Sequence, residues 1–182
     1  GFWGGIYVWV DHHPAVQAAI AARASKLYGP RLQQLGFVPR AGEAPADAVL
    51  RNSLIRSLGA MGDPSVVAEA KRLFAAWQTN PDAIPGSLRT TWLQVVARNA
   101  DQATWDAIHA RAQSATTALE RTSLYQLLSI AHDDTLAKRA LDLALTEEPG
   151  KTTSAGMITC VSCEHSRMAI DFVLAHLDQV NQ

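Results

Sequence analysis

One pattern limits what this chain can fold into more than any other: a short run of residue types that returns every 32 to 38 positions along its 182 residues. Arg51, Ser53, Leu54, Leu58 and Asp63 form the first copy, Arg89, Thr91, Trp92, Val96 and Asp101 the second, and Arg121, Ser123, Leu124, Leu128 and Asp133 the third. In each copy a hydroxyl residue stands two positions after the Arg. A large apolar residue follows directly, another comes four positions later, and an Asp closes the copy five positions beyond that. Met157, Val161 and Ser166 make a weaker fourth copy. Apolar residues four apart share a helix face. A period of this length is that of helical hairpins, none of which buries its apolar face alone, so neighbours must stack. The expectation is an all-α fold, an α-superhelix (HEAT-like solenoid) of antiparallel helix pairs.

The periodicity places the elements. Pro14 suits the start of a helix whose stripe is Val16, Ile20, Leu27, Leu32 and Leu35, with a possible break at Gly29-Pro30. Residues 37–45 form the longest loop. A helix over 47–61 (Leu50, Leu54, Leu58, Met61) leads to a second that opens at Asp63-Pro64 and carries Val66, Val67, Ala70, Leu73, Phe74 and Trp77. Asp at the cap accepts from free first-turn amides, and Pro at the next position lacks only a donor that would go unused. Helices over 87–98 and from Asp101, then over 118–131 and from Asp133, repeat the arrangement. A stretch from Thr152 and a helix from Ser166 (Ile170, Val173, Leu174, Leu177) end the chain. The recurrent Asp is therefore read as a structural cap rather than a catalytic acid.

A length of 182 residues suits one domain, and a formal charge of −1 supplies no basic field for nucleic acid or an anionic surface. Gly1–Val10 (GFWGGIYVWV) is too short and too rich in glycine to span a bilayer, so no membrane span is expected. It reads as an apolar leader or remnant over 1–14 ahead of a helical-repeat domain over 15–182, with Ile6–Val10 the one stretch compatible with a strand. A chain that opens inside an apolar run without Met is expected to be cut from something longer.

Few residues suggest chemistry. Cys160 and Cys163, followed by Glu164-His165, share a helix face and could meet a metal or form a redox pair. No second cysteine pair completes a tetrahedral site, and the repeat puts Cys160 where Val95 and Leu127 stand, so buried small hydrophobes are the expectation. His12-His13, His109, His132, His165 and His176 compose no zinc motif. Trp77, Trp92 and Trp105 fall on apolar faces and are expected in the core. Glu120-Arg121 and Glu147-Glu148 read as solvated helix ends.

Beyond the periodicity, the sequence resembles a known family. Leu35-Gly36-Phe37, Gly42-Glu43, Leu50-Arg51, Ser57-Leu58-Gly59, Gly62-Asp63-Pro64 and Val67-Ala68-Glu69-Ala70 look like the opening of the C-terminal helical domain of the aminopeptidase N group of zinc aminopeptidases, which includes the puromycin-sensitive and endoplasmic-reticulum enzymes. Val96-Ala97-Arg98-Asn99, Ala103-Thr104-Trp105-Asp106 and Arg139-Ala140-Leu141 continue the pattern, and Ser166–Phe172 resembles the family's closing segment. Ser166 stands where the family usually has Gly, and His176-Leu177-Asp178 where it often has Asn-Trp-Asp.

The resemblance implies a non-catalytic domain. The family's H-E-x-x-H zinc site, substrate-amine motif and catalytic Tyr belong to a preceding domain, so no catalytic residue and no metal ligand maps here, and zinc would be the cofactor of the parent's catalytic domain. The implied partners are that catalytic domain and peptide substrate; the implied role is to cap the active-site chamber, control peptide access and stabilise the catalytic lobe. Arg51, Arg89 and Arg121, which share one repeat position, are the candidate peptide contacts. The same position would equally suit a ladder of hydrogen bonds between helices. A free-standing helical-repeat adaptor that binds protein or peptide is the alternative function, and a thiol redox or metal-binding protein built on Cys160 and Cys163 a third.

Overall fold

A computed structural model of the chain describes residues 13–180. The apolar leader, the candidate strand at Ile6–Val10 and His12 lie outside the described residues. Among the described residues every regular element is helical and none is a strand. The chain divides into two compact units, Gly1–Val96 and Ala97–Gln182.

In the first unit, α1 (Pro14–Leu35) packs on α2 (Pro45–Ala60), and α2 on α3 (Pro64–Trp77). Gly29-Pro30 does not break the helix: α1 runs through Pro30. Lys26 and Pro30 both lie on the exposed face, so the carbonyl deprived of its amide partner is on the side open to water. The turn from α2 to α3 follows from Met61-Gly62-Asp63-Pro64. Gly62 takes φ 73°, a left-handed conformation that costs glycine nothing. Its N–H donates to Gly59 O at 3.1 Å while that of Asp63 donates to Leu58 O at 2.9 Å, the paired bonds of a Schellman motif. Asp63 then caps α3, accepting from the amides of Ser65 and Val66. Val66, Ala70, Leu73, Phe74 and Trp77 form the buried face of α3, as their spacing predicts.

A 3-10 turn (Gly86–Leu88) leads into α4 (Arg89–Arg98). Trp92 is fully buried with its ring edge-on to Phe37, centroids 5.5 Å apart. At Gly59 the backbone of α2 meets Val95 so closely that a side chain there would strike both of its methyl groups.

The second unit holds α5 (Gln102–Ser114), α6 (Ala118–Leu128), α7 (Asp134–Ala144), α8 (Lys151–Glu164), α9 (Ser166–Ala175) and the short α10 (Leu177–Val180). Here α5 packs on α6, α7 on α8, α8 on α9, and α6 also on α8. Asp101 and Asp133 cap α5 and α7 through the amides of Thr104 and Leu136. The recurrent Asp is thus an N-cap in all three copies, and the apolar positions of those copies are buried: Leu54, Trp92 and Leu124, then Leu58, Val96 and Leu128. The indole N–H of Trp105 donates to Leu128 O at 3.0 Å, satisfying one of the carbonyls left free at the end of α6.

The apolar stripe of α9 faces the other way from expectation, and that of α1 departs from it in part, Leu32 and Leu35 being buried as expected. In α9 the buried residues are Ala169 and Phe172, whereas Ile170, Leu174 and, just beyond, Leu177 are 59%, 62% and 47% exposed. Apolar residues occupy both sides of this helix, so periodicity alone does not select the buried one. Val16 and Leu27 of α1 are likewise exposed.

Candidate functional site

The arginines that share a repeat position each pin a loop of their own unit. Arg51, on the buried face of α2, donates from Nε to Gly36 O at 2.9 Å, from Nη2 to Leu35 O at 3.2 Å, and from Nη1 to Glu43 Oε1 at 2.7 Å. With its side chain 2% exposed it offers a peptide no donor in this arrangement. The bonds hold the end of α1 and the 36–44 loop against α2. Hydrogen bonding to Arg51 keeps the Glu43 carboxyl below its ordinary range, the amide of Arg40 adding to the effect. Arg89 donates to Pro81 O at 3.0 Å, and its buried Nε has no hydrogen-bond partner. Arg121 donates to Glu148 O at 2.6 Å. The shared position therefore gives a shared task, binding loop carbonyls, rather than a continuous ladder between helices.

Around Arg121 the second unit gathers its most concentrated polar cluster. Helix α5 presents His109 and Gln113, four apart on one face, and α6 presents Arg121 and Tyr125 with the same spacing. Glu148, on the segment between α7 and α8, meets them. Its Oε1 accepts from His109 Nε2 at 2.6 Å, Tyr125 Oη at 2.7 Å and Gln113 Nε2 at 3.2 Å. The Arg121 guanidinium carbon lies 5.7 Å from the Tyr125 ring centroid. Behind His109 stands the Trp105 ring, 5.2 Å away, and Arg139 covers Trp105 at 4.1 Å while pairing with Asp106 at 2.7 Å.

The electrostatics follow from this geometry. Burial pushes the Glu148 carboxyl up, but the three donors outweigh it and leave the group below its ordinary value. Burial, and then the bond to Glu148, pushes the Tyr125 phenol up to about 12. Tyr125 is thus a fixed donor and Glu148 a fixed acceptor near neutrality. The cluster is built to clasp α5, α6 and the α7–α8 segment together.

A second clasp closes α8. Glu164, its last residue, accepts on Oε1 from Arg98 Nη2 at 2.6 Å and Nε at 3.0 Å. The neighbouring His165 donates from Nε2 to Ala131 O at 2.7 Å, and the His132 amide donates to Arg98 O at 2.9 Å. In the first unit Asp63 adds to its capping bonds one from Ser25 Oγ at 2.6 Å, tying α1 to the start of α3. Burial raises the Asp63 carboxyl, yet the Ser25 and Ser65 hydroxyls and two amides hold it below the usual aspartate value.

Two sequence expectations change here. Glu148 is no solvated end but the centre of the cluster. Its partners lie 23 to 39 positions away, so no local signal marks it. Cys160 is half-buried and Cys163 exposed, not core. The buried line of α8 is Thr153, Met157 and Val161, which leaves the cysteines on its flank. The position assigned to Cys160 is not uniformly core either, since Val95 is buried and Leu127 only partly so. Trp77, Trp92 and Trp105 are buried as expected. Among the described residues no group of three or more His, Cys, Asp or Glu side chains is placed to hold a metal ion, and no helix is long and apolar enough to cross a membrane.

Comparison with known proteins supplies the family. The model of the ERAP1-like C-terminal domain matches residues 3–182. The chain belongs to that family. Aminopeptidase M1-D of Oryza sativa subsp. japonica is 24% identical to this ERAP1-like C-terminal domain over 143 residues, which cover 76% of the chain and 16% of that relative. The domain thus spans less than a fifth of the length of the curated relative it matches.

Proposed function

We propose that this ERAP1-like C-terminal domain is the non-catalytic part of a zinc aminopeptidase that removes N-terminal residues from peptides. It covers the active-site chamber, governs which peptides enter, and stabilises the catalytic lobe. The family match over nearly the whole chain carries this reading, and the similarity to a protein named as an aminopeptidase supports it. The use of the chain's own acids agrees with it. Asp63, Asp101 and Asp133 cap helices, while Glu43, Glu148 and Glu164 accept from Arg51, from the α5–α6 cluster and from Arg98. In this reading zinc belongs to the catalytic domain of the larger enzyme, and no step of hydrolysis is assigned to this chain.

A role in admitting peptides would rest on side chains that reach the surface of the domain. Of the three candidate arginines, Arg89 and Arg121 are half-exposed and remain peptide-facing candidates, whereas Arg51 acts on the fold. The reading is tested by incubating the purified chain with zinc and an aminoacyl chromogenic substrate. No turnover above the zinc blank is expected; turnover that survives repurification and disappears with chelator would overturn the non-catalytic assignment.

A further inference from the structure

The two cysteines of α8 stand beside the clasp that closes that helix, and neither function nor core packing accounts for them. Cys163 is exposed and Cys160 half-buried, both as free thiols one helical turn apart. Residues three apart on a helix hold their Cβ atoms about 5–6 Å apart, whereas a disulfide needs about 3.5–4.5 Å. Joining them requires the backbone of that turn to rewind. It is the last turn before the helix ends at Glu164, where carbonyls already lack helical partners and the closing bond is that of the His165 amide to Val161 O at 2.7 Å. Directly after the pair come Glu164, which holds Arg98, and His165, which holds Ala131 O.

We infer that Cys160 and Cys163 form a thiol modification site, at which a low-molecular-weight disulfide such as oxidised glutathione produces an intramolecular disulfide and thereby releases Glu164 from Arg98. The exposed Cys163 thiol loses its proton and attacks one sulfur of oxidised glutathione. The glutathione S–S bond breaks and one glutathione leaves as thiolate, which takes up a proton. Cys160, having lost its proton, then attacks the Cys163 sulfur of the mixed disulfide, whose S–S bond breaks, and the second glutathione leaves as thiolate and takes up that proton. Two protein thiols are oxidised by two electrons and one glutathione disulfide is reduced to two thiols. Burial, with Cys163 and Glu164 nearby, pushes the Cys160 thiol up, so the second step quickens as pH rises above neutrality.

The test equilibrates the chain in glutathione buffers of graded potential, quenches by alkylation, maps peptides by mass and follows amide exchange. The expected product is lighter by two hydrogens, links Cys160 to Cys163, and exchanges about tenfold faster over residues 160–165 and at His132, whose amide bonds Arg98 O. Cys160→Ser should stop at a glutathione adduct on Cys163 without the faster exchange. Glu164→Gln, kept reduced, should reproduce part of the faster exchange without oxidation. Only a mixed disulfide on Cys163 in the unaltered chain would overturn the site. An intramolecular disulfide that leaves exchange unchanged would overturn its coupling to the clasp. Because the readouts are mass and exchange, the result is independent of the aminopeptidase reading.

Discussion

Gly59→Ala puts the packing account to a quantitative trial. A Cβ built on Gly59 falls on Val95 Cγ2, with Cγ1 2.8 Å and Cβ 3.1 Å away. Carbon atoms rest at about 3.5–4.0 Å, so three atoms of one side chain are overlapped at once. Val95 is 2% exposed and β-branched, so its side chain is restricted at χ1 and yields little. In an open helix the substitution would stabilise by about 1 kcal/mol. Overpacking of this kind costs about 1–3 kcal/mol, and contact with the whole isopropyl group argues for the upper end, leaving a net loss of about 2 kcal/mol. Val95→Ala removes both γ carbons. In that background Gly59→Ala should become neutral or slightly stabilising, a coupling of about 2–3 kcal/mol. Urea unfolding of the four proteins measures it, with a shifted midpoint and an unchanged slope. Additive effects, or a Gly59→Ala protein as stable as the original, would refute the close approach of α2 and α4.

Other substitutions test the caps and clasps. Asp101→Ala and Asp133→Ala should each destabilise by about 1 kcal/mol, and Asp63→Ala by more because the Ser25 hydroxyl also loses its acceptor; thermal melts that rank the three otherwise would contradict this. Arg51→Met leaves the Leu35 and Gly36 carbonyls without their donor, at about 1–3 kcal/mol for each buried group, and proteolysis within 36–44 should become the first cleavage. The pH profile has two limbs. Glu148, held below its ordinary 4.5, contributes fully above that pH and loses its contribution as pH falls from 4.5 through the depressed folded value. Tyr125, raised to about 12 from 10.0, contributes fully below 10 and loses its contribution as pH rises through 12. Glu148→Gln should flatten the acid limb and Tyr125→Phe the alkaline one; unchanged limbs would show that the cluster does not couple to folding.

What could be read from the chain beforehand was what depends on neighbours in sequence. Asp63-Pro64, Asp101 and Asp133 announced their helices because a cap acts within three residues. Leu54 and Leu58, with their counterparts, announced the core because the burial period is local. The loop over 36–44 was visible in its Gly and Pro, but not that Arg51 staples it to α2. Glu148 carries no local signal, because its partners come from two helices brought to it only by folding. The exposed side of α9 is not legible in the sequence, because Ile170 and Leu174 are at least as apolar as the Ala169 and Phe172 that are buried. The repeat register points Cys160 to the core, but that position itself varies between copies, Val95 being buried and Leu127 only partly so.

Whether this domain governs access to catalysis performed elsewhere, as proposed, is decided by comparing the full-length protein with and without these residues. The measurement is kcat/KM for an aminoacyl arylamide and for a series of peptides of increasing length, with zinc content determined on both proteins. In a truncated protein that retains its zinc, the ratio of long-peptide to arylamide efficiency should change while arylamide cleavage persists. An unchanged ratio across the series, with full zinc occupancy in both proteins, would contradict the proposed role.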